Sequence, residues 1–381
     1  MTIERFEPEY SAAAVDDLRE RLKRTRWPEV IPDSGWEYGT DSAFLHDICA
    51  YWGETFDWKD QLARIAAFPH FKFASKGPDI HFIQVRGKGP APIPLVITHG
   101  WPGSFLEMLK IIPMLADPES FGAGAGDSFD VIVPSLPGYG YSGKPGRGMN
   151  AFTVASLWAD LMAELGYKRF AAHGGDIGAG VTTALGLRHP SRMIGIHLNF
   201  IPGSYRPFLP PGTVLSAEEQ DALKTAAKWV EQHGAYGHMQ RTTPLTPAYA
   251  LNDSPVGLAA WILEKFYKWS DCKGDLLSRF TKDELLANVT LYWMTETIHS
   301  SFRMYYEGAK APMALAENER VTVPCAVAHF PGEVFFSPRV WAERGYNIQR
   351  WTEMPRGGHF AAAEEPGLLA EDLRSFFRQF R

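Results

Sequence analysis

Gly174-Gly175-Asp176-Ile177-Gly178 is the stretch on which the reading of this chain turns. It follows Arg169–His173, a run with the length and composition of a buried strand, and it opens a helical pattern over Gly178–Arg188. Small residues two before and two after the centre permit a sharp strand-to-helix bend, because larger side chains would collide where the backbone turns. Asp176 would then sit at the tip of the turn. A carboxylate there differs from a serine in what it can usefully attack. Displacement at a saturated carbon yields an alkyl ester that water can cleave, whereas serine would leave an inert ether. The residue type thus points to opening of a strained or activated C–O or C–halogen bond. Taken in isolation the five residues also fit a glycine-rich turn with an aspartate capping a helix, so the rest of the chain has to decide.

Around this turn, short β-branched runs alternate with helical patterns. Leu95–Thr98, Asp130–Pro134 and Met193–Asn199 are further strand candidates, and helices fit Phe105–Leu115 and Val154–Leu165. That alternation predicts a mostly parallel sheet wrapped by helices. Upstream, residues 1–90 read as an N-terminal extension packed on the core. It carries helices over Ser11–Arg24, stopped by Trp27-Pro28, and over Asp41–Thr55 and Trp58–Ala67, then a hairpin pair at Phe71–Ala74 and Ile80–Arg86. After Pro202 the rhythm breaks into a Pro-rich loop and helices such as Glu218–His233 and Val256–Lys268. Strands return at Cys325–Phe330 and Ile348–Glu353, followed by an amphipathic helix over Pro366–Gln379. The economical division is a core in two pieces, 91–203 and 319–381, interrupted by a helical cap over 204–318.

Composition narrows the partners. The 381 residues are 45% hydrophobic and 22% charged, enough apolar material for a large core. The net charge of -6 is spread without blocks of one sign, which excludes a nucleic-acid or anionic-membrane footprint. No apolar run reaches the roughly eighteen residues of a membrane span. Cys49, Cys272 and Cys325 are few, distant and odd in number, so neither a disulfide framework nor a cysteine metal cluster is expected. Glu4, Glu7, Glu9, Asp16 and Asp17 stand where an export signal would be apolar, so a reducing, cytoplasmic setting is expected. Gly122–Gly126 lacks dinucleotide-loop spacing because Asp127 falls at the last glycine position, and phosphate-loop and metalloprotease patterns are absent. The expectation is chemistry without cofactor or metal.

Two more motifs stand in the right order. His99-Gly100-Trp101-Pro102-Gly103-Ser104 directly follows the strand Leu95–Thr98. In an α/β-hydrolase an amide from this loop joins the amide after the nucleophile to form the oxyanion hole, so the backbone N–H groups of Trp101 and Ile177 are the expected donors. Gly357-Gly358-His359-Phe360 follows the strand Ile348–Glu353 and supplies a base whose ordinary pKa is near neutrality. The fold's chain order of nucleophile, acid and histidine makes Glu333, in His329-Phe330-Pro331-Gly332-Glu333, the partner of His359 in preference to Glu343 or Glu353. His99 and His173 end strands beside the site and are expected to orient loops.

Together these residues resemble the epoxide hydrolases of the α/β-hydrolase fold, in particular the microsomal-type branch with an N-terminal extension. The likeness spans nearly the whole chain: Arg21–Pro28, His99–Ser104, Gly138-Tyr139-Gly140-Tyr141-Ser142, Gly174–Gly178, Ala250–Ala259 and Gly357–Phe360. It implies that two cap tyrosines donate to the epoxide oxygen, and the matching positions are Tyr236 and Tyr305, with Tyr306 adjacent to the second. A phenol suits that task, because the alkoxide released on ring opening is far more basic than a phenolate of pKa about 10. Ile177 stands where many members carry Trp, the relay acid is Glu rather than the Asp of part of the family, and the membrane anchor of some eukaryotic members is expected to be missing. The resemblance implies a small apolar epoxide and water as partners, a homodimer being left open, with detoxification as the expected role and a biosynthetic one as its alternative.

Two other readings share parts of the pattern. A haloalkane dehalogenase uses the same aspartate turn but needs side-chain N–H donors for halide, and Ile177 leaves only Trp101 for that task. A hydrolase fold serving as a catalytically silent binding protein would not require the full set of catalytic groups found here.

Overall fold

The strands of the computed structural model, which describes residues 2–335 and 337–381, belong to one sheet. The strands are β1 (Ile3–Phe6), β2 (His70–Phe73), β3 (Ile80–Val85), β4 (Ile93–Thr98), β5 (Phe129–Pro134), β6 (Phe170–Gly174), β7 (Met193–Leu198), β8 (Val321–His329) and β9 (Tyr346–Glu353). Their order is β1-β2-β3-β5-β4-β6-β7-β8-β9. From β5 to β9 all neighbours are parallel, and β1, β2, β3 and β5 pair antiparallel. Every residue of β5 and β6 is buried, as expected where helices cover both faces of a parallel sheet.

The helices are α1 (Ala12–Lys23), α2 (Ser42–Glu54), α3 (Trp58–Ala66), α4 (Ile111–Ala116), α5 (Ala151–Glu164) and α6 (Asp176–Arg188) before β7. Between β7 and β8 lie α7 (Ala217–His233), α8 (Ala235–Thr242), α9 (Leu245–Leu251), α10 (Pro255–Trp269), α11 (Lys282–Thr295) and α12 (Ile298–Lys310). After β8 come α13 (Arg339–Glu343), α14 (Ala361–Glu364) and α15 (Pro366–Phe377). The inserted helices leave and rejoin the core side by side: Arg206 N–H donates to the Met313 carbonyl at 2.8 Å, and Leu315 N–H to the Arg206 carbonyl at 2.9 Å.

The structure refines the expected elements in three places. β1, only four residues long and carrying Glu4 and Arg5, is too short and too polar to show as a strand in the sequence. The helix expected over Phe105–Leu115 is a single 3-10 turn at Phe105–Met108 followed by α4, because Pro113 has no N–H to return to the Leu109 carbonyl. The N-terminal extension divides its allegiance. Its strands lengthen the central sheet, with Phe71 opposite Phe82, while its helices clasp the insertion. Trp52 Nε1–H donates to Thr290 Oγ1 at 2.9 Å, Thr40 Oγ1 to the Ala260 carbonyl at 2.7 Å, and Arg21 pairs with Asp253 at 2.8 Å.

Candidate active site

β6 ends at the middle of the sheet and α6 begins two residues later, leaving Asp176 at the corner with φ +48°. Non-glycine residues rarely adopt this conformation, and it is the kind of local strain that projects a side chain out of a turn. The corner closes because of the flanking glycines: a Cβ on Gly174 would lie 2.2 Å from the Gly178 carbonyl oxygen, and one on Gly178 would lie 2.0 Å from that of Thr98. Both obstacles are backbone, so the tight approach of α6 to β4 and β6 depends on hydrogen at these positions.

The loop after β4 reaches over this corner. Trp101 N–H donates to Asp176 Oδ1 at 2.8 Å. The N–H of Ile177, in the first turn of α6, belongs to the donors that no carbonyl of the helix itself can accept. His99 holds the loop in shape: its Nδ1 lies 3.0 Å from the Gly100 carbonyl, and its Nε2 accepts from Leu136 N–H at 3.1 Å. Burial pushes the His99 pKa down to about 4, so the ring is neutral and matches that one-donor, one-acceptor arrangement. His173 is tied into a separate buried chain, 3.0 Å from His197, which in turn meets Asp372 at 3.0 Å.

The loops after β8 and β9 bring the acid and the histidine together. His359 Nδ1 lies 2.6 Å from Glu333 Oε1, while Nε2 faces Asp176 Oδ2 at 3.3 Å without an aligned hydrogen bond. Glu343 pairs instead with Arg339, and Glu353 with His329. Burial of the His359 ring opposes its charged form, yet Glu333 and Asp176 together outweigh burial and hold its pKa well above the ordinary histidine value. Its side chain is 3% exposed and is sealed by the Trp269 ring at 5.1 Å.

The inserted helices supply the opposite wall. Tyr236, on α8, stacks on the Trp101 indole with ring centroids 5.3 Å apart and planes within 8°. Tyr305, on α12, meets Tyr236 edge to face at 6.1 Å. Both phenols line one cavity with Asp176 and His359, of about 390 Å³, whose remaining wall is mostly apolar. Burial, with the Asp176 carboxylate adding to it, raises both phenol pKa values and keeps them as proton donors. Tyr306 faces away, with the Lys310 ammonium 3.9 Å over its ring. Trp269 carried no sequence signal, being one more apolar residue at the end of α10. Glu107 did carry one: it is a carboxylate in an otherwise apolar turn directly after His99–Ser104.

Comparison with known proteins matches this geometry to a lineage. The "Epoxide hydrolase N terminus" family matches residues 3–108, and the "alpha/beta hydrolase fold" family matches residues 93–232. Epoxide hydrolase 1 of Sus scrofa is 39% identical over 98% of this chain and 88% of its own length. The chain belongs to the epoxide hydrolases. Juvenile hormone epoxide hydrolase from the silkworm Bombyx mori superposes on this epoxide hydrolase with a TM-score of 0.88, 32% identity, and coverage of 100% of this chain and 95% of that one. Aspergillus niger epoxide hydrolase gives 0.87 at 28% identity, covering 100% and 97%. Like them the protein is a hydrolase acting on the ether bond of an epoxide. No helix among its described residues is long and apolar enough to cross a membrane.

Proposed function

We propose that this epoxide hydrolase works through a covalent ester on Asp176. The supporting observation is the convergence of Asp176, the His359–Glu333 pair and two buried phenols on one apolar cavity. Asp176 attacks an epoxide carbon while Tyr236 and Tyr305 hydrogen-bond the ring oxygen, and one phenol delivers its proton as the C–O bond breaks. The ester carbonyl oxygen is then held by the N–H groups of Trp101 and Ile177. The phenolate recovers its proton from His359, which is then neutral; oriented by Glu333, the ring takes a proton from water as the water oxygen adds to the ester carbon, gives it to the departing alkoxide oxygen as the ester C–O bond breaks, and accepts the carboxyl proton left on Asp176, so that a vicinal diol leaves and the resting charges are restored.

The charge arithmetic favours this order. Before reaction Asp176 helps to hold a proton on His359. Ester formation removes that negative charge, which lowers the ring's proton affinity at the step that needs a base. On this reading the helices α7–α12 form a cap over the cavity, whose apolar lining suits a fairly bulky, uncharged epoxide. Residence in a reducing cytoplasm and a detoxifying role are part of the same proposal. The free, buried Cys49, Cys272 and Cys325 support the first, and the roomy apolar cavity the second.

A single turnover in heavy-oxygen water tests the covalent route. Label in the Asp176 carboxylate, read by peptide mass, is the expected result; label confined to the diol would mean direct attack of water on the epoxide.

A further inference from the structure

A second, much smaller space touches the same catalytic pair. Its volume is about 20 Å³, enough for one water molecule, and Asp176, His359, Asn199 and Glu107 all border it. Unlike the large cavity it is walled by the loop after β4 and the ends of strands, with no residue of α8 or α12 in its lining. Glu107 also lines a cleft of about 230 Å³ bordered by Arg64, Lys110 and Glu284. The Lys110 and Glu284 side chains pair there with 41% and 37% exposure, so this cleft lies at the surface. Glu107 is common to both linings and separates the catalytic pair from the outside by a route that runs beside α3 and α11 and avoids α8 and α12, which carry the two phenols.

The space for its carboxyl is provided by Gly103, whose Cβ, if present, would lie 1.1 Å from Glu107 Oε1. Burial pushes the Glu107 pKa up to about 8; the His359 charge opposes this and the Asp176 charge adds to it. At neutral pH the group is a carboxylic acid, with one donor and free acceptor capacity.

We propose that the small cavity seats the hydrolytic water, that Glu107 is its positioning residue, and that this water enters through the surface cleft rather than along the epoxide's path. The inference rests on the covalent reading above. Once the ester has formed, its alkyl group occupies the apolar cavity beneath the cap, and water arriving by that route would have to pass it. Water in the small cavity is already beside the ester carbon and beside His359 Nε2, which has no aligned hydrogen bond of its own. Glu107 accepts one water hydrogen, leaving the other directed at Nε2 and a lone pair directed at the ester.

Rapid-quench kinetics with styrene oxide test this through the balance of the two steps. Glu107→Leu is expected to leave ester formation within about twofold of wild type and to slow ester hydrolysis by about 100-fold, the scale of a misplaced reactant, so that the adduct accumulates on the Asp176 peptide. Glu107→Gln retains a donor and an acceptor and is expected to recover most of the hydrolysis rate. If Glu107→Leu does not fold, Gly103→Ala displaces the carboxyl while retaining it and should show the same selective loss. Unchanged hydrolysis in these variants, or equal slowing of both steps, would overturn the proposal. Failure of the covalent reading is distinguishable, because then no adduct forms on Asp176 in any variant.

Discussion

At the residue scale, the pair Asp176–His359 is held at 3.3 Å by groups that each have another task. Glu333 fixes the Nδ1 side of the ring, so Nε2 is the nitrogen left for chemistry. His359→Gln should therefore leave alkylation largely intact and trap the ester, visible as a mass increase equal to the substrate. The sign of the pH dependence comes from the same contacts. His359 is held protonated in the free enzyme by Glu333 and Asp176, and the ester removes the second of these charges. The pKa read from kcat, when hydrolysis limits, should thus lie below that of His359 in the free enzyme followed by NMR, with hydrolysis rising toward higher pH. On the opposite wall, Tyr236→Phe and Tyr305→Phe should each slow alkylation by about 100-fold, the usual worth of a positioned proton donor, measured by single-turnover kinetics. Tyr306→Phe should leave it unchanged.

At the element scale, the strand-to-helix corner depends on the approach of α6 to β4. Gly178→Ala would place a Cβ 2.0 Å from the Thr98 carbonyl, where only backbone can give way. A loss of about 3 kcal/mol, the upper end of the cost of overpacking, is expected in denaturant unfolding. This corner was legible in the sequence because its constraint is local: a strand, a glycine on either side, then a helix. The His99–Ser104 loop and the His359 loop were legible for the same reason. Less local elements were not. Pro113 breaks the helix expected over Phe105–Leu115, and α11 has no clean apolar period, since every residue from Leu285 to Tyr292 is buried. The extension reads as a separate layer because its strands show no sign of which sheet they join.

At the scale of the whole molecule, buried carboxylates tie distant segments together. Asp372, on α15, meets His197 on β7 and both Arg350 and Thr352 on β9. Burial would raise its pKa, but these partners outweigh burial and bring it down to about 2. Glu219, at the start of α7, is brought down to about 2 chiefly by Arg344, linking the inserted helices to the sheet. Both folded values lie below the unfolded ones of about 3.9 to 4.3, so the stabilisation is present above pH 4 and is lost as pH falls toward 2. The melting temperature should drop across that window, and Asp372→Asn should flatten part of the drop while lowering stability at pH 7.

The sequence by itself pointed to the chemistry that could occur: an amide-bearing loop after the strand ending at Thr98, an aspartate at a strained turn, and a histidine after the last strand. These are properties of short segments, where steric limits on a few consecutive residues leave little choice. Chain order also pointed to Glu333 and the family likeness to Tyr305, but only the tertiary structure decided that these distant groups meet them. Glu333 rather than Glu343 or Glu353 lies against His359, and Tyr305 rather than Tyr306 faces the cavity. Glu107 stands between the Asp176–His359 pair and a second opening. The physical reason is that helix rotation and loop docking are set by packing between elements far apart in the chain. Adjacent residues of one helix can thereby face opposite environments with nothing in the local sequence to tell them apart.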